Sequence, residues 1–274
     1  MDIKAFKMDG LGNDFVIIDQ RSQNYNLTKD QIIKICDRNF IGCDQLIFIQ
    51  KSNEKDAGLE FYNSDGSISG ACGNGTRCVA DLLSKENNDK EIILWTNSGA
   101  LKSQILGNNS VETEIGIAKT NWNEIPLSKN IDTKNLNIKI SDLNNNEHFG
   151  GTAVNVGNPH VIFFVDDNEN FEIKKIGPEI ENHILFPEKC NVTLATIINR
   201  KLIKVKVWER GAGLTKACGT AACATAFAAR QNGLIENKVD IEFSTGKLSI
   251  SIDEKNNIKM KGPVSDIKNI EIKI

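Results

Sequence analysis

Short apolar runs separated by glycine-rich turns dominate the chain, and they predict strands far more often than helices. A capping box, Thr28-Lys29-Asp30-Gln31, opens a predicted helix that ends near residue 38. A second helix is predicted from Cys72 to about residue 84. The strands predicted before residue 118, from alternation or short apolar runs, are 3–8, 14–19, 45–50, 59–62, 91–97, 100–106 and 110–117. Many strands with few helices indicate an α+β fold.

The second half of the chain begins with a polar connection and then returns to the same kind of pattern. Residues 119–146 are rich in Asn and Lys and contain one predicted strand, at 136–140. Residues 217–229 are almost all Ala, Thr, Cys and Phe and predict a helix that ends at Gly233. Because this helix is small and apolar all round, we expect it to be buried on every side by a curled sheet.

Three short motifs recur in the same order at nearly one offset, between 145 and 147 residues. The pairs are Gly12-Asn13 with Gly157-Asn158, Cys72-Gly73 with Cys218-Gly219, and Ser98-Gly99 with Thr245-Gly246. This recurrence predicts an internal duplication into two pseudo-symmetric domains. We expect each domain to be a mostly antiparallel curled sheet around a buried helix.

The predicted domain boundaries follow from the end of the second copy. Gly262-Pro263 is typical of a break, and the last predicted strand, 267–274, would then return to the first domain. We therefore place the first domain at residues 1–118 plus 263–274 and the second at residues 119–262.

Composition limits the class of protein. With 274 residues, 40% hydrophobic, 25% charged and a net charge of −3, the chain is long enough for two folded domains. It has no basic arm or aromatic-interleaved basic patch, so we expect no nucleic-acid partner. It has no apolar run near the roughly 18 residues of a membrane span, and its start lacks the apolar centre of a signal peptide. We expect a cytoplasmic protein without a membrane partner.

Seven cysteines are many for this length, but an odd number in a cytoplasmic chain argues against a disulfide framework. Their spacings match no common zinc site, so we expect no metal. Most are interpreted as small buried hydrophobic residues, namely Cys36, Cys43, Cys78, Cys190 and Cys223. Cys72 and Cys218 differ, because each precedes a glycine at a predicted helix N-terminus. There, backbone N–H groups and the helix dipole favour an anion and a thiolate.

Two thiols on equivalent helices suit the inversion of a carbon centre. Inversion needs a base on one face and an acid on the other, with the roles exchanged in the reverse reaction. At a cleft shared by the domains, the helix N–H groups would also hold a carboxylate and stabilise enolate-like charge. This predicts a racemase or epimerase that uses no pyridoxal phosphate or other cofactor. One alternative is that both cysteines merely pack, which the recurrence of equivalent cysteines disfavours. Two others stay open: a thiol redox switch and a catalytically inactive amino-acid-binding protein.

Five motifs together resemble those of the diaminopimelate epimerase family. They are KMDGLGNDF at 7–15, ACGNGTRC at 71–78, GNPH at 157–160, ERGAG at 209–213 and ACGT at 217–220. The resemblance implies the fold of that family and a cofactor-independent interconversion of L,L- and meso-2,6-diaminopimelate in lysine and peptidoglycan biosynthesis. It also implies a small-molecule substrate and a homodimer, for which the sequence itself shows no interface patch.

The resemblance implies roles for individual residues. Cys72 and Cys218 would be the two acid–base residues, and His160 and Glu209 would tune or orient them. The residues expected to bind substrate are polar side chains and helix-start residues: Asn13, Gln45, Asn63, Gly73, Asn74, Asn158, Asn191, Glu209, Arg210, Gly219 and Thr220. Arg210 suits a bidentate contact with a carboxylate, and Glu209 can receive an ammonium group.

Three positions depart from the family pattern without removing a proposed catalytic group. Asp9 stands where His is usual, Leu214 where Glu is common and Ala221 where Gly is frequent, and no role is carried over to Asp9. The nearest alternative is a proline-racemase-like isomerase of the same fold. Glu209, Arg210 and the Asn positions favour diaminopimelate, because a small imino acid needs no distal clamp.

Overall fold

The computed structural model describes residues 2–53, 55–70, 72–97 and 99–274. Two compact units divide the chain, Met1–Glu114 with Lys261–Ile274 and Ile115–Met260. The domain boundaries expected from the sequence, after residues 118 and 262, stay a prediction. Ala71 of the second motif and Ser98 of the third recurring pair lie outside the described residues. No helix in the described part of the chain is long and apolar enough to cross a membrane.

The first half of the chain alternates strands with two helices. Its elements are β1 (Asp2–Gly10), β2 (Asn13–Asp19), α1 (Lys29–Cys36), β3 (Gln45–Gln50), β4 (Ala57–Asn63), β5 (Ile68–Ser69), α2 (Gly73–Asn87), β6 (Glu91–Thr96), β7 (Gly99–Gly107) and β8 (Ser110–Ile117). β2 pairs with β3 and β4 with β6 in parallel. The pairs β1–β2, β3–β4, β4–β5, β6–β7 and β7–β8 are antiparallel. The predicted strands and both helices are therefore present, with ends shifted by a few residues, and the Thr28 capping box is formed.

The second half repeats this order after a separate hairpin of β9 (Ile138–Ser141) and β10 (Glu147–Gly150). The remaining elements are β11 (Thr152–Asn155), β12 (Pro159–Phe164), α3 (Ile173–Glu181), β13 (Asn191–Asn199), β14 (Leu202–Glu209), β15 (Gly213–Thr215), α4 (Gly219–Gln231), β16 (Lys238–Phe243), β17 (Gly246–Ile252), β18 (Asn257–Pro263) and β19 (Lys268–Lys273). From β11 to β17 the parallel pairs are β12–β13 and β14–β16. They hold the same places in the order as β2–β3 and β4–β6, so the predicted duplication is confirmed.

The last strand returns to the first unit, as predicted. β19 pairs antiparallel with β1, with Asp2 opposite Lys273. The interpretation of Gly262-Pro263 as a break is wrong, because β18 continues through Pro263. Proline is compatible with an extended backbone at a strand end, where its missing N–H removes no required ladder bond.

Each cysteine-led helix is packed into its own sheet. Residues Ala221 to Ala229 of α4 are buried, and α4 contacts β11, β12, β13, β16 and β17. In α2, residues Asn74 to Leu83 are buried against β1, β2, β6 and β7. A Cβ on Gly75 would come within 2.7 Å of Ile47 Cδ1, so glycine permits the close approach of α2 to β3. The sequence expectation of buried central helices is confirmed.

Two features of the second unit depart from the sequence expectations. The polar connection at 119–146 contributes Ile125, Leu127 and Leu136 to a buried cluster, so it is more than a surface link. Helix α3 is not predicted, because Gly177 and Pro178 in its middle oppose helix formation. A Cβ on Gly177 would overlap the ring of Trp208, which explains why glycine occupies that position.

Candidate functional site

Cys72 and Cys218 are the N-cap residues of α2 and α4, as predicted. Both have extended backbones, with φ −141° and ψ 110° at Cys72 and φ −136° and ψ 117° at Cys218. Their carbonyls accept the first helical bonds, from Thr76 N at 2.8 Å and from Ala222 N at 3.0 Å. The N–H groups of the first helical turn have no partner within the helix, which makes each helix start suited to an anion.

Predicted site residues of the first unit gather at one end of β2, β3 and β4. Asn13 begins β2, Gln45 begins β3 and Asn63 ends β4. Because β2 and β3 are parallel and β4 is antiparallel to β3, these positions share one edge of the sheet. Gln45 lies opposite Asn63, and its Nε2 donates a hydrogen bond to Asn63 Oδ1 at 2.9 Å.

The side chain of Asn13 connects this edge with the start of α2. Its Oδ1 accepts from Asn74 Nδ2 at 3.3 Å and lies 3.7 Å from Cys72 Sγ, within hydrogen-bond distance for a thiol donor. A tight turn presents Asn13, with positive φ at Leu11 (62°) and Gly12 (84°). Asp9 Oδ1 accepts from Gly12 N at 3.1 Å, so the departure at Asp9 stabilises the turn. Cys72, Gly73, Asn74 and Asn13 are thus brought together.

The second unit carries its predicted site residues at the equivalent positions. Asn191 begins β13 and Glu209 ends β14, each 146 residues after Gln45 and Asn63 of the first unit. Asn158 precedes β12, and its Oδ1 lies 2.8 Å from His160 Nε2. Since an amide oxygen only accepts, this places the imidazole proton on Nε2. The sequence did not reveal that Gln45 corresponds to Asn191 or that Asn63 corresponds to Glu209, because the residue type differs within each pair.

Asn191 and Glu181 hold the turn that follows β14. Asn191 Oδ1 accepts from Arg210 N at 2.9 Å, and Asn191 Nδ2 donates to the carbonyl of Pro159 at 2.9 Å. Glu181, at the end of α3, accepts from Trp208 Nε1 at 2.7 Å and from Gly211 N at 3.1 Å. These bonds stabilise the segment that carries Glu209 and Arg210.

Burial is the main cause of the shifted pKa values of Cys218 and His160 in the second unit. It raises the pKa of the Cys218 thiol well above its usual range, and the Glu209 carboxylate raises that pKa further. The Thr220 hydroxyl, 3.3 Å from Cys218 Sγ, acts in the opposite direction. Burial, aided by the charge of Arg210, lowers the pKa of His160 to about 3. At neutral pH the Cys218 thiol is therefore protonated and the imidazole is neutral.

The remaining cysteines, a possible metal site and the main groove were also compared with the predicted site residues. The five cysteines interpreted as hydrophobic residues are buried, as expected: Cys36, Cys43, Cys78, Cys190 and Cys223. In the residues described, no three His, Cys, Asp or Glu side chains converge as a metal site would require. A groove of about 490 Å³ in the second unit, lined by Phe171, Val207 and Leu214 among others, contains none of the predicted site residues.

Sequence reasoning missed three charged residues that support the predicted ones: Asp44, Arg77 and Glu181. Asp44 Oδ2 accepts from Asn13 Nδ2 at 3.0 Å, and Arg77 Nη2 donates to Asn74 Oδ1 at 2.9 Å. Arg77 falls within the motif at 71–78 and Asp44 directly precedes the predicted site residue Gln45, and these positions are the only signal the sequence carried. Glu181 lies in the helix that the sequence pattern does not predict.

Comparison with known proteins gives a match to the same sequence family in both halves of the chain. A family model described as diaminopimelate epimerase matches residues 5–120 and 152–267, one match in each half. The diaminopimelate epimerase of Pelagibacter ubique (strain HTCC1062) is 76% identical over 274 residues, which cover 100% of both chains.

Solved structures share the fold at low sequence identity. A phenazine biosynthesis protein of the PhzF family from Bacillus anthracis has a TM-score of 0.70 at 15% identity, covering 100% of both chains. A hydroxyproline epimerase from Agrobacterium vitis, with bound trans-4-OH-L-proline, has a TM-score of 0.68 at 12% identity, covering 98% of this chain and 91% of that one. The predicted fold class is confirmed, and the proline-racemase-like alternative has the fold in common without comparable sequence identity. By its family match and its full-length identity to a curated relative, the chain belongs to the diaminopimelate epimerase family and is an isomerase of the epimerase class.

Proposed function

We propose that this protein interconverts L,L- and meso-2,6-diaminopimelate by proton transfer at one α-carbon, without pyridoxal phosphate or a metal. The observation that carries the proposal is the N-cap cysteine at the same place in both halves of the duplication, Cys72 on α2 and Cys218 on α4. Family membership supports diaminopimelate as the substrate, and the two helix-start thiols support acid–base catalysis by cysteine.

In the proposed reaction, one cysteine thiolate removes the α-proton and the other thiol delivers a proton to the opposite face. The carbon is inverted, the thiolate has become a thiol and the thiol has become a thiolate, and the reverse reaction exchanges their roles. Helix-start groups at Gly73, Asn74, Gly219 and Thr220 would hold the α-carboxylate and stabilise the enolate-like charge. The raised pKa of Cys218 supports a protonated thiol there in the free protein.

His160 and Glu209 are proposed to support the thiols, and the remaining polar residues to bind the substrate. Glu209 influences the protonation of Cys218, as its effect on the thiol pKa indicates. Arg210 offers a fixed positive charge for a carboxylate, and its backbone is held by Asn191. The residues proposed to line the substrate are Asn13, Gln45, Asn63, Asn74, Asn158, Asn191, Glu209 and Arg210.

The setting of this reaction is also a proposal. We propose a role in lysine and peptidoglycan biosynthesis, in the cytoplasm, as a homodimer that binds no nucleic acid. The domains are proposed to comprise residues 1–118 with 263–274 and residues 119–262.

Exchange of the α-hydrogen in D₂O tests the activity. L,L-diaminopimelate incubated with reduced protein should gain one α-deuterium and yield the meso form, without added pyridoxal phosphate or metal. Chiral chromatography with mass spectrometry follows both products. Binding of the compound with neither exchange nor meso product would contradict the assignment.

Alanine substitutions test each thiol separately. Cys72→Ala and Cys218→Ala should each reduce epimerisation by about 10²–10⁴-fold, the usual contribution of a positioned acid–base group. Cys78→Ala and Cys223→Ala are matched controls, because they make the same change inside the same two helices at buried positions. The controls should keep most of the activity. Full activity in either helix-start variant would remove that cysteine from the mechanism.

A further inference from the structure

The hydrogen bonds around Cys72 form a chain with a charged group at each end. Arg77 Nη2 donates to Asn74 Oδ1 at 2.9 Å, and Asn74 Nδ2 donates to Asn13 Oδ1 at 3.3 Å. Asn13 Nδ2 then donates to Asp44 Oδ2 at 3.0 Å. The sulfur of Cys72 meets this chain at Asn13 Oδ1, at 3.7 Å.

The charged ends determine the direction of every bond between them. A guanidinium can only donate, and an ionised carboxylate can only accept. An amide that turned over at Asn74 would set its NH₂ group against the guanidinium of Arg77. An amide that turned over at Asn13 would set its oxygen against the carboxylate of Asp44. Both amides therefore have one favoured orientation.

Both ends of the chain are themselves held in place. Arg77 is fully buried within α2. Asp44 Oδ2 also accepts from the backbone N–H of Asp14 at 3.1 Å, and Asp44 Oδ1 is paired with Arg38. Buried or doubly bonded charges of this kind restrict the rotation of their partners.

We propose that Asp44 and Arg77 are positioning residues that keep an acceptor oxygen, rather than an amide NH₂, directed at Cys72. An acceptor stabilises the thiol form of Cys72, whereas an NH₂ donor would stabilise the thiolate. The chain thereby sets how readily this cysteine gives up its proton. The inference deepens the proposed function, because it concerns the availability of one of its two acid–base groups.

The test measures the thiol directly and uses no substrate. Alkylation of Cys72 by iodoacetamide is followed on its peptide by mass spectrometry, as a function of pH, in a Cys218→Ala background. Asp44→Leu removes the acceptor of Asn13 Nδ2, one of the two groups that orient the Asn13 amide, and leaves only the longer bond from Asn74 Nδ2. The pH midpoint of alkylation should fall by about 1 unit, equivalent to about tenfold more thiolate at a fixed pH below the midpoint. Asp9 on β1 and Arg77 and Asp81 on α2, the charged residues that act on neighbouring Cys78, are unchanged in every variant.

Two further variants separate orientation from a general loosening of the site. Asp44→Asn keeps an acceptor oxygen toward Asn13 and the Asp14 N–H, so it should restore the original midpoint. On an Asn13→Leu background, Asp44→Leu should cause no further shift, because its effect acts through the Asn13 amide. A loosened site would instead raise the limiting alkylation rate without moving the midpoint. If Asp44→Leu also exposes buried Cys36 and Cys43 to the reagent, Asp44→Ala replaces it in the same comparison.

An unchanged midpoint in folded Asp44→Leu, or in Asp44→Ala where that variant replaces it, would overturn the inference, as would an equal shift in Asp44→Asn or on the Asn13→Leu background. Such results would leave the epimerase proposal intact, because they are obtained without diaminopimelate. Conversely, a protein that failed to epimerise could still show the predicted midpoints.

Discussion

His160 should make the second unit less stable as the pH falls below neutrality. The ring is fully buried, and its pKa is lowered from 6.5 to about 3, mainly by burial and also by the charge of Arg210. In the unfolded chain the imidazole takes up a proton below its ordinary pKa, whereas in the folded chain it stays neutral. Protons therefore favour the unfolded state, and stability is lost progressively from about pH 6.5 toward pH 3.

The size of this effect at pH 5 follows from the unfolded pKa alone. The folded pKa lies well below pH 5, so only the unfolded chain gains binding free energy from the proton. The difference of about 1.5 pH units from 6.5 corresponds to about 2 kcal/mol, at 1.36 kcal/mol per unit. His160→Gln removes this contribution while keeping an N–H donor for Asn158.

The measurement compares the unfolding free energy at pH 7.5 and pH 5 in wild type and variants. Urea unfolding can be followed by tryptophan fluorescence, since two of the three tryptophans, Trp122 and Trp208, lie in the same unit as His160. The loss between the two pH values should be about 2 kcal/mol smaller in His160→Gln than in wild type. His148→Gln, at an exposed ring, is the control and should keep the wild-type loss. Equal losses in wild type and His160→Gln would refute the assignment of a buried neutral imidazole.

The remaining predictions concern the second unit. Glu209→Gln should lower the pKa of Cys218 and speed its alkylation by iodoacetamide at pH 8, because the carboxylate raises that pKa. Glu188→Gln is the control for the same substitution at an exposed site, and no change in the Glu209 variant would contradict the prediction. Gly177→Ala should destabilise the protein by about 1–3 kcal/mol in urea unfolding, despite the better helix propensity of alanine, because the new methyl group overlaps Trp208. In a Trp208→Leu background, Gly177→Ala should lower the free energy of unfolding by much less than it does in wild type. A Gly177→Ala variant as stable as wild type would contradict the prediction, because it would show that the helix shifts freely.

Features that depend on neighbouring residues were predictable from the sequence. The strand at Gln45–Gln50, the Thr28 capping box and the cysteine at the start of each long helix follow from alternation, capping and local propensity. The duplication was visible because three pairs recur at nearly one offset. Helix α3 was not predictable in this way, because Gly177 and Pro178 oppose a helix locally and packing against Trp208 overrides them.

The sequence by itself determined most strands of the first half, the repeat and the identity of the two helix-start cysteines. Only the tertiary structure decided which face of the Asn13 amide meets Cys72. It also decided that Asp44 and Arg77 hold that amide, and that His160 is neutral at physiological pH. Hydrogen-bond direction and desolvation depend on groups far apart in the chain: Asn13 is 31 residues from Asp44 and 59 from Cys72. No local pattern records such contacts, so the protonation of the candidate site is a property of the folded chain.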